Sequence, residues 1–328
     1  MALSGLMHIY VTRKIPSKGI ELLKEAGFSL TINPEDRVPS LEELKENLRE
    51  CDGLLCLLTD PISAELMDAA PKLKVIANYA VGFNNIAVDE ATKRGIFVCN
   101  TPDVLTHTTA EHAWALLFAT ARRIVEGDHF TRNGSFNGWG PLVMIGHDVY
   151  KKTLGVVGSG RIGSAFALKS RGFDMEVLYY NRTPNEELES SLDAKKVSLD
   201  ELLKRSDFVS IHLPLTDQTK HLIGKRELSL MKKSAILINT ARGPIIDEEA
   251  LIAALKNNSI AGAGLDVYEH EPTIPDSLKS LDNVVLQPHS GSASIDTRQR
   301  MSAMAAENII AALKGERPPN CVNPEVFE

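Results

Sequence analysis

The stretch Thr153-Leu154-Gly155-Val156-Val157-Gly158-Ser159-Gly160-Arg161-Ile162-Gly163 decides how the rest of the chain is read. A Gly-x-Gly-x-x-Gly run says little alone, because glycine-rich turns are common. Here it follows an apolar, β-branched run and opens a helical pattern from Ile162 to Lys169. That strand–turn–helix setting is what a dinucleotide fingerprint requires. Gly158 allows the tight turn, Gly160 lets backbone approach a pyrophosphate, and Gly163 lets helix and strand pack closely. Arg161 and Ile162 begin the helix, whose free N–H groups and positive end suit phosphate. Gly158, Gly160, Arg161, Ile162 and Gly163 are therefore expected to bind a cofactor.

Working outward, short apolar runs recur on both sides. After Leu154 to Val157 they fall at Glu176 to Tyr180, Phe208 to Ile211, Ala235 to Asn239, Ala261 to Leu265 and Val284 to Leu286. Upstream they fall at Met7 to Val11, Ser29 to Ile32, Gly53 to Leu57, Lys74 to Ala77 and Ile96 to Val98. Helical patterns lie between them, for example Lys18 to Ala26 and Leu41 to Leu48. The latter opens after Ser40 with Glu43 three residues on, a capping box. Such alternation predicts parallel sheets with helices on both faces. A long helical pattern, Thr108 to Gly127, joins the two series, with Arg122 and Arg123 near its C-terminal end, where positive charge suits the dipole. A last helix is expected from Ser294 to Lys314, and it can return to the first series. The predicted fold class is α/β with two doubly wound parallel-sheet domains. A Rossmann cofactor domain, residues 105–292, is inserted in a flavodoxin-like substrate domain, residues 1–104 plus 293–328.

The composition of this 328-residue chain agrees, with 43% hydrophobic and 24% charged residues. That is ordinary for a folded protein of about two domains. The 36 Lys and Arg against 43 Asp and Glu leave a net charge of −7, which disfavours nucleic acid or an anionic membrane as partner. The longest apolar stretch, Ala113 to Ala121, is far shorter than the ~20 residues that span a bilayer. Met1-Ala2-Leu3-Ser4-Gly5 lacks the basic-then-apolar order of a signal peptide. Cys51, Cys56, Cys99 and Cys321 form no Cys-x-x-Cys pair and have no His at zinc-finger spacing. They read as free thiols of a cytoplasmic protein, and no metal site is expected.

The end of the strand after the fingerprint chooses the cofactor. An acidic residue there would accept the ribose 2′-hydroxyl of NAD. The chain instead has Asn181-Arg182-Thr183. Asn181 does not repel an anion, Arg182 can grip a 2′-phosphate through paired charge-assisted bonds, and Thr183 can add a hydroxyl. NADP is favoured, and NAD is the alternative.

Reduction of a 2-keto acid by hydride needs a cation to hold the carboxylate and polarise the carbonyl, an acid to protonate the new alkoxide, and an anion to hold that acid protonated. Arg242 follows the apolar run Ile236-Leu237-Ile238-Asn239 and stands at the strand edge where open α/β sheets bind ligands. His289 follows Leu286-Gln287-Pro288, and imidazole is the natural acid near pH 7. Its carboxylate partner is left open among Glu269, Glu271 and Asp266, and His212, after another strand, is a second candidate acid.

Four runs occur in order: the fingerprint at Gly158, Asn-Thr-Ala-Arg-Gly at Arg242, Asp-Val-Tyr-Glu-x-Glu-Pro at Asp266, and Pro-His-x-Gly-Ser at Pro288. Over essentially the whole chain this resembles the D-isomer-specific 2-hydroxyacid dehydrogenase family. The resemblance implies Arg242 as the carboxylate and carbonyl holder, His289 as acid–base and Glu271 as its partner. It implies Thr240 and Asp266 near the nicotinamide or its ribose, and Leu213 and Pro214 along the cofactor cleft. Gly291, in the histidine run, joins the cofactor-binding set. The family's substrate loop matches Tyr79-Ala80-Val81-Gly82-Phe83-Asn84-Asn85, whose N–H groups at Val81 and Gly82 would receive the carboxylate.

Asn100-Thr101-Pro102-Asp103-Val104-Leu105-Thr106, Thr108-Thr109-Ala110-Glu111 and Asn137-Gly138-Trp139-Gly140-Pro141-Leu142 are similar to glyoxylate/hydroxypyruvate reductases. By that resemblance Trp139 would cap a neighbouring subunit's small pocket, which implies a homodimer. Ser290 departs from the bulkier aliphatic residue commoner there, and His107 is assigned no role. The expected reaction is NADPH-dependent reduction of glyoxylate and hydroxypyruvate to glycolate and D-glycerate, in a cleft between the two domains. The alternatives are an NAD-dependent dehydrogenase of another small D-2-hydroxy acid and a dinucleotide-sensing, corepressor-like binding protein.

Overall fold

The computed structural model describes residues 6–327, so the stretch Met1 to Gly5 lies outside the described residues. The chain divides into two compact units, one of Met1–Leu105 with Ala293–Glu328 and one of Thr106–Ser292. Leu105 falls in the first unit.

The first unit runs β1 (His8–Val11), α1 (Ser17–Glu25), β2 (Ser29–Ile32), α2 (Leu41–Leu48), β3 (Gly53–Cys56), α3 (Ala64–Asp68), β4 (Val75–Asn78), α4 (Val88–Lys93) and β5 (Phe97–Cys99). Its sheet is parallel in the order β2-β1-β3-β4-β5, the flavodoxin-like arrangement. The β3 and β4 strands are buried along their whole length, as strands covered on both faces must be. The capping box at α2 is present: Glu43 N–H donates to the Ser40 hydroxyl at 3.3 Å, and Ser40 N–H donates to the Glu43 carboxylate at 2.7 Å.

The second unit runs α5 (Thr106–Ala121), α6 (Ile124–Arg132), β6 (Thr153–Val157), α7 (Arg161–Leu168), β7 (Glu176–Tyr180), α8 (Glu186–Leu192), β8 (Lys195–Lys196), α9 (Leu199–Arg205), β9 (Phe208–Ile211), α10 (Lys225–Leu230), β10 (Ile236–Asn239), α11 (Glu248–Lys256), β11 (Gly262–Leu265), α12 (Asp276–Lys279) and β12 (Val284–Leu286). Its parallel sheet has the order β12-β11-β10-β9-β6-β7-β8, so the connection reverses between β6 and β9. Open α/β sheets bind ligands at that switch point. Alternate residues feed two apolar layers. Leu237, Val209 and Ile211 pack into one, while Ile236, Ile238 and Phe208 pack into the other. Trp114 of α5 anchors the second layer, stacked on Phe166 at 5.0 Å and donating Nε1–H to the Phe166 carbonyl at 2.9 Å.

The last helix, α13 (Ile295–Leu313), belongs to the first unit and lies along α1. A Cβ on Gly19 would stand 2.2 Å from the Ser302 carbonyl oxygen, so the two helices approach as closely as backbone allows.

One expected element differs. The helical pattern Thr108 to Gly127 is not one helix: α5 ends at Ala121, and Arg123 takes a left-handed φ of 53° before α6 begins. The cause is tertiary. The Ala121 carbonyl, which would continue the helix, accepts from His147 N–H at 2.7 Å, and Arg123 Nη1 donates to the Ile145 carbonyl at 3.2 Å. The short β8 has no apolar residue and carries no periodic signal. Among the described residues no helix is long and apolar enough to cross a membrane, and no group of His, Cys, Asp or Glu is placed to hold a metal ion.

Candidate active site

The turn after β6 is built by its glycines. Gly158 has φ +95°, and its N–H donates to the Tyr180 carbonyl at 2.9 Å. A Cβ there would meet the Leu213 side chain at 2.8 Å, and a Cβ on Gly163 would stand 1.9 Å from the Gly158 oxygen. Gly160 is different, because a Cβ on it would meet no protein atom within 4 Å. Protein packing therefore does not require glycine at position 160, and a ligand approaching the backbone would. Arg161 and Ile162 begin α7 directly beyond this turn.

Two buried hydroxyls at the same sheet edge, Ser159 Oγ and Thr240 Oγ1, have no hydrogen-bond partner among the described residues. A buried, unpaired hydroxyl costs about 1–3 kcal/mol. Both positions suit the polar phosphates and ribose of a dinucleotide, and together with the open side of Gly160 they fit that cofactor.

Asn181, Arg182 and Thr183 follow β7. Asn181 Nδ2 donates to the Thr183 carbonyl at 3.1 Å and shapes the turn, while Arg182 and Thr183 are exposed. Lys196 of β8 donates Nζ–H to the Arg182 carbonyl at 2.9 Å, which brings a second cation to the same turn. Leu213 and Pro214 follow β9, and Leu213 lies against the glycine turn.

Arg242 follows β10 in an extended conformation. Asn239 bridges the turn, donating Nδ2–H to the Arg242 carbonyl at 3.0 Å and accepting from Ala241 N–H at 3.0 Å. Burial pulls the guanidinium pKa below its usual value, and Glu271 opposes that. Beside it, the chain passes Tyr268 so closely that a Cβ on Gly243 would stand 1.8 Å from the Tyr268 oxygen.

His289 follows β12. Its backbone sits in the left-handed region at φ 54°, and its N–H donates to the Asp266 carbonyl at 2.9 Å. Its Nδ1 lies 2.8 Å from Glu271 Oε2, and the other oxygen of Glu271 accepts from Tyr268 N–H at 3.0 Å. The remaining candidates have other partners. Glu269 pairs with His221 at 2.6 Å and accepts from Glu248 N–H at 3.2 Å. Asp266 is buried, accepts from Ser290 N–H at 2.7 Å and Gly291 N–H at 2.8 Å, and lies 3.2 Å from His112 Nε2. Asp266 and Gly291 thus pin the loop that carries His289. The His212 ring lies tilted against Phe166, centroids 4.9 Å apart, and burial pushes its pKa down to about 3, which makes it a poor acid near neutrality.

In the first unit, the loop after β4 is held by its carbonyls. Gly82 O accepts from Asn78 Nδ2 at 2.7 Å, and Val81 O accepts from Asn100 Nδ2 at 2.8 Å. Trp139 lies on the segment between α6 and β6 with 87% of its surface exposed, near the exposed Phe136, Leu142 and Ile145 in sequence. Sequence reasoning passes over Lys196, His112 and the hydroxyl of Ser159. Only Ser159 carries a signal, its place inside the fingerprint.

Comparison with known proteins gives a consistent result. Residues 114–291 match the model of the D-isomer specific 2-hydroxyacid dehydrogenase NAD binding domain. The chain is 53% identical over 322 residues to a glyoxylate reductase of Korarchaeum cryptofilum, covering 98% of this chain and 97% of that one. A glyoxylate reductase of Thermococcus gammatolerans is 52% identical over 324 residues, with coverage of 98% and 97%. Among solved structures, the NADPH-dependent glyoxylate/hydroxypyruvate reductase of Sinorhizobium meliloti with NADP and malonate superposes with a TM-score of 0.88 at 33% identity, covering 99% of each chain.

Proposed function

The chain belongs to the D-isomer specific 2-hydroxyacid dehydrogenase family, and from that premise we propose that it reduces glyoxylate and hydroxypyruvate with NADPH, giving glycolate and D-glycerate. The observation that carries the reading is the His289–Glu271 pair at 2.8 Å, in the same unit as Arg242 and the glycine turn. The similarity to glyoxylate reductases supports the substrate.

When bound, the dinucleotide supplies the hydride. Arg242 holds the substrate carboxylate and draws electron density from the ketone, so that negative charge growing on oxygen meets a fixed cation. The amides of Val81 and Gly82 take the carboxylate. His289 gives the alkoxide a proton from Nε2, while Glu271 on Nδ1 fixes the orientation of the ring. Gly158, Gly160, Arg161, Ile162 and Gly163 receive the pyrophosphate, and Thr240, Leu213, Pro214, Asp266 and Gly291 flank the nicotinamide half. Arg182, with Asn181, Thr183 and the neighbouring Lys196, takes the 2′-phosphate, the reason to favour NADPH over NADH. Trp139 from a second copy limits the size of the keto acid, so the working form is a homodimer. The cytoplasm, where free thiols persist, is the proposed compartment.

The test is the loss of nicotinamide absorbance with glyoxylate, hydroxypyruvate and pyruvate in parallel, using NADPH and NADH. Faster turnover of the first two acids with NADPH is expected, and Arg182→Ala should erase the preference for NADPH. His289→Ala should lower kcat by about 10²–10⁴-fold while sparing NADPH affinity. Preference for pyruvate would overturn the substrate, an unchanged cofactor ratio in Arg182→Ala would overturn the role of Arg182, and an unchanged kcat in His289→Ala would overturn the acid.

A further inference from the structure

Cys99 ends β5, and Cys321 lies far along the chain in the tail beyond α13, yet the two are paired in an antiparallel bridge within the first unit. The hydrogen bonds around them define the kind of pair. Val322 N–H donates to the Val98 carbonyl at 2.7 Å, and Asn100 N–H donates to the Asn320 carbonyl at 3.2 Å. The bonds therefore flank the cysteines and do not join them. In such a non-hydrogen-bonded pair the Cα atoms lie about 4.5 Å apart and the side chains leave the same face. That spacing falls within the range a disulfide needs.

Their environments divide the labour of the reaction. Cys321 is partly exposed, while Cys99 is buried. Cys321 Sγ donates to Asn323 Oδ1 at 3.5 Å, and the adjoining Cys99 thiol, with the Asn323 backbone and the Arg317 charge, brings Cys321 down to about 7 despite its burial. The same contact and burial push Cys99 up. A partly exposed thiol that ionises near neutrality is the one an external disulfide meets first. Cys51 and Cys56 are each buried; Cys51 is pushed up to about 11 by burial, and Cys56 is pushed up as well.

We propose that Cys99 and Cys321 form a reversible disulfide by exchange with a small-molecule disulfide of the glutathione class, locking the tail to β5. Cys321 sulfur attacks one sulfur of the reagent, and the reagent's S–S bond breaks to release one thiol. Cys99 sulfur then attacks Cys321 sulfur, which releases the second reagent thiol, and the Cys99 proton leaves with it. Two protein thiols are oxidised and one reagent disulfide is reduced to two thiols. The new bond closes a long loop that contains the whole second unit, so it restrains the unfolded chain strongly.

The experiment incubates the folded full-length protein with oxidised glutathione, without denaturant, and follows thiol count, peptide masses and Tm. The expected result is a fall from four free thiols to two, a peptide carrying Cys99 linked to one carrying Cys321, and a Tm raised by about 5 °C or more. Reducing agent should restore all three readings. Cys321→Ser should fold, keep its thiols and show no oxidant-dependent rise in Tm. Four retained thiols in the wild type would overturn the proposal. So would a glutathione adduct on Cys321 that never resolves, or a cross-link through Cys51 or Cys56.

Discussion

Glu271 shows what one residue's placement decides. Three carboxylates lie within six positions of one another in the chain, and composition cannot choose among them. The choice is made by backbone: Tyr268 N–H holds one oxygen of Glu271, leaving the other for His289, while Glu269 and Asp266 are drawn to His221 and to the Ser290–Gly291 amides. His212 shows the reverse case, a histidine at a strand end whose burial holds it neutral. Its folded pKa of about 3 lies below the ordinary 6.5. As pH falls below about 6.5 the unfolded chain takes up a proton that the folded chain refuses until about 3. Stability is thus present above that window and declines through it with falling pH, by up to about 1.4 kcal/mol per pH unit. Thermal melts from pH 7 to pH 4.5 should show a shallower decline for His212→Gln than for the wild type, and parallel curves would discount His212 as an acid-sensitive group.

At the level of elements, the glycine turn separates two reasons for the same residue type. Gly163 is glycine because the Gly158 oxygen would lie 1.9 Å from any Cβ, whereas a Cβ on Gly160 would meet nothing. Gly163→Ala should lower stability by about 1–3 kcal/mol in denaturant titration, the usual effect of overpacking. Gly160→Ala should unfold at the wild-type midpoint yet bind NADPH at least about tenfold more weakly, since each 1.4 kcal/mol of lost phosphate contact is a decade in affinity. Equal binding by Gly160→Ala and wild type would remove the pyrophosphate from this turn. The same scale explains what was legible in the sequence. The β3, β4, β9 and β10 strands were readable because burial on both faces demands continuous apolar runs, and their ends fall within a residue or so of expectation. The break after Ala121 was not, because its cause is a carbonyl captured by His147, well beyond any local window. The proximity of Cys99 and Cys321 was hidden for the same reason: nothing in the two local sequences refers to the other.

Over the whole molecule, both sheets reverse direction beside their first strand, and each is an independent doubly wound layer. The second unit is continuous in sequence, carries two apolar layers of its own and contains Arg242, Glu271 and His289. Residues 106–292 expressed alone should therefore melt cooperatively and be stabilised by added NADPH. A chain stopped at Ser292 should retain that transition and lose the one belonging to the first unit. A non-cooperative melt of 106–292 would mean that the second unit depends on the first.

The return of α13 to α1 carries a temporal consequence. Gly19 packs on Ser302, Asn308 donates to the Asn100 carbonyl, and Asn323 donates to the Ile96 carbonyl. The unit that leaves the ribosome first therefore closes last. Its five strands must wait, with the β3–β5 side of one face uncovered, through the synthesis of the entire second unit. During translation the nascent chain carries a finished nucleotide-binding body behind an unfinished, apolar sheet. Apolar surface left open in that interval is the kind that aggregates.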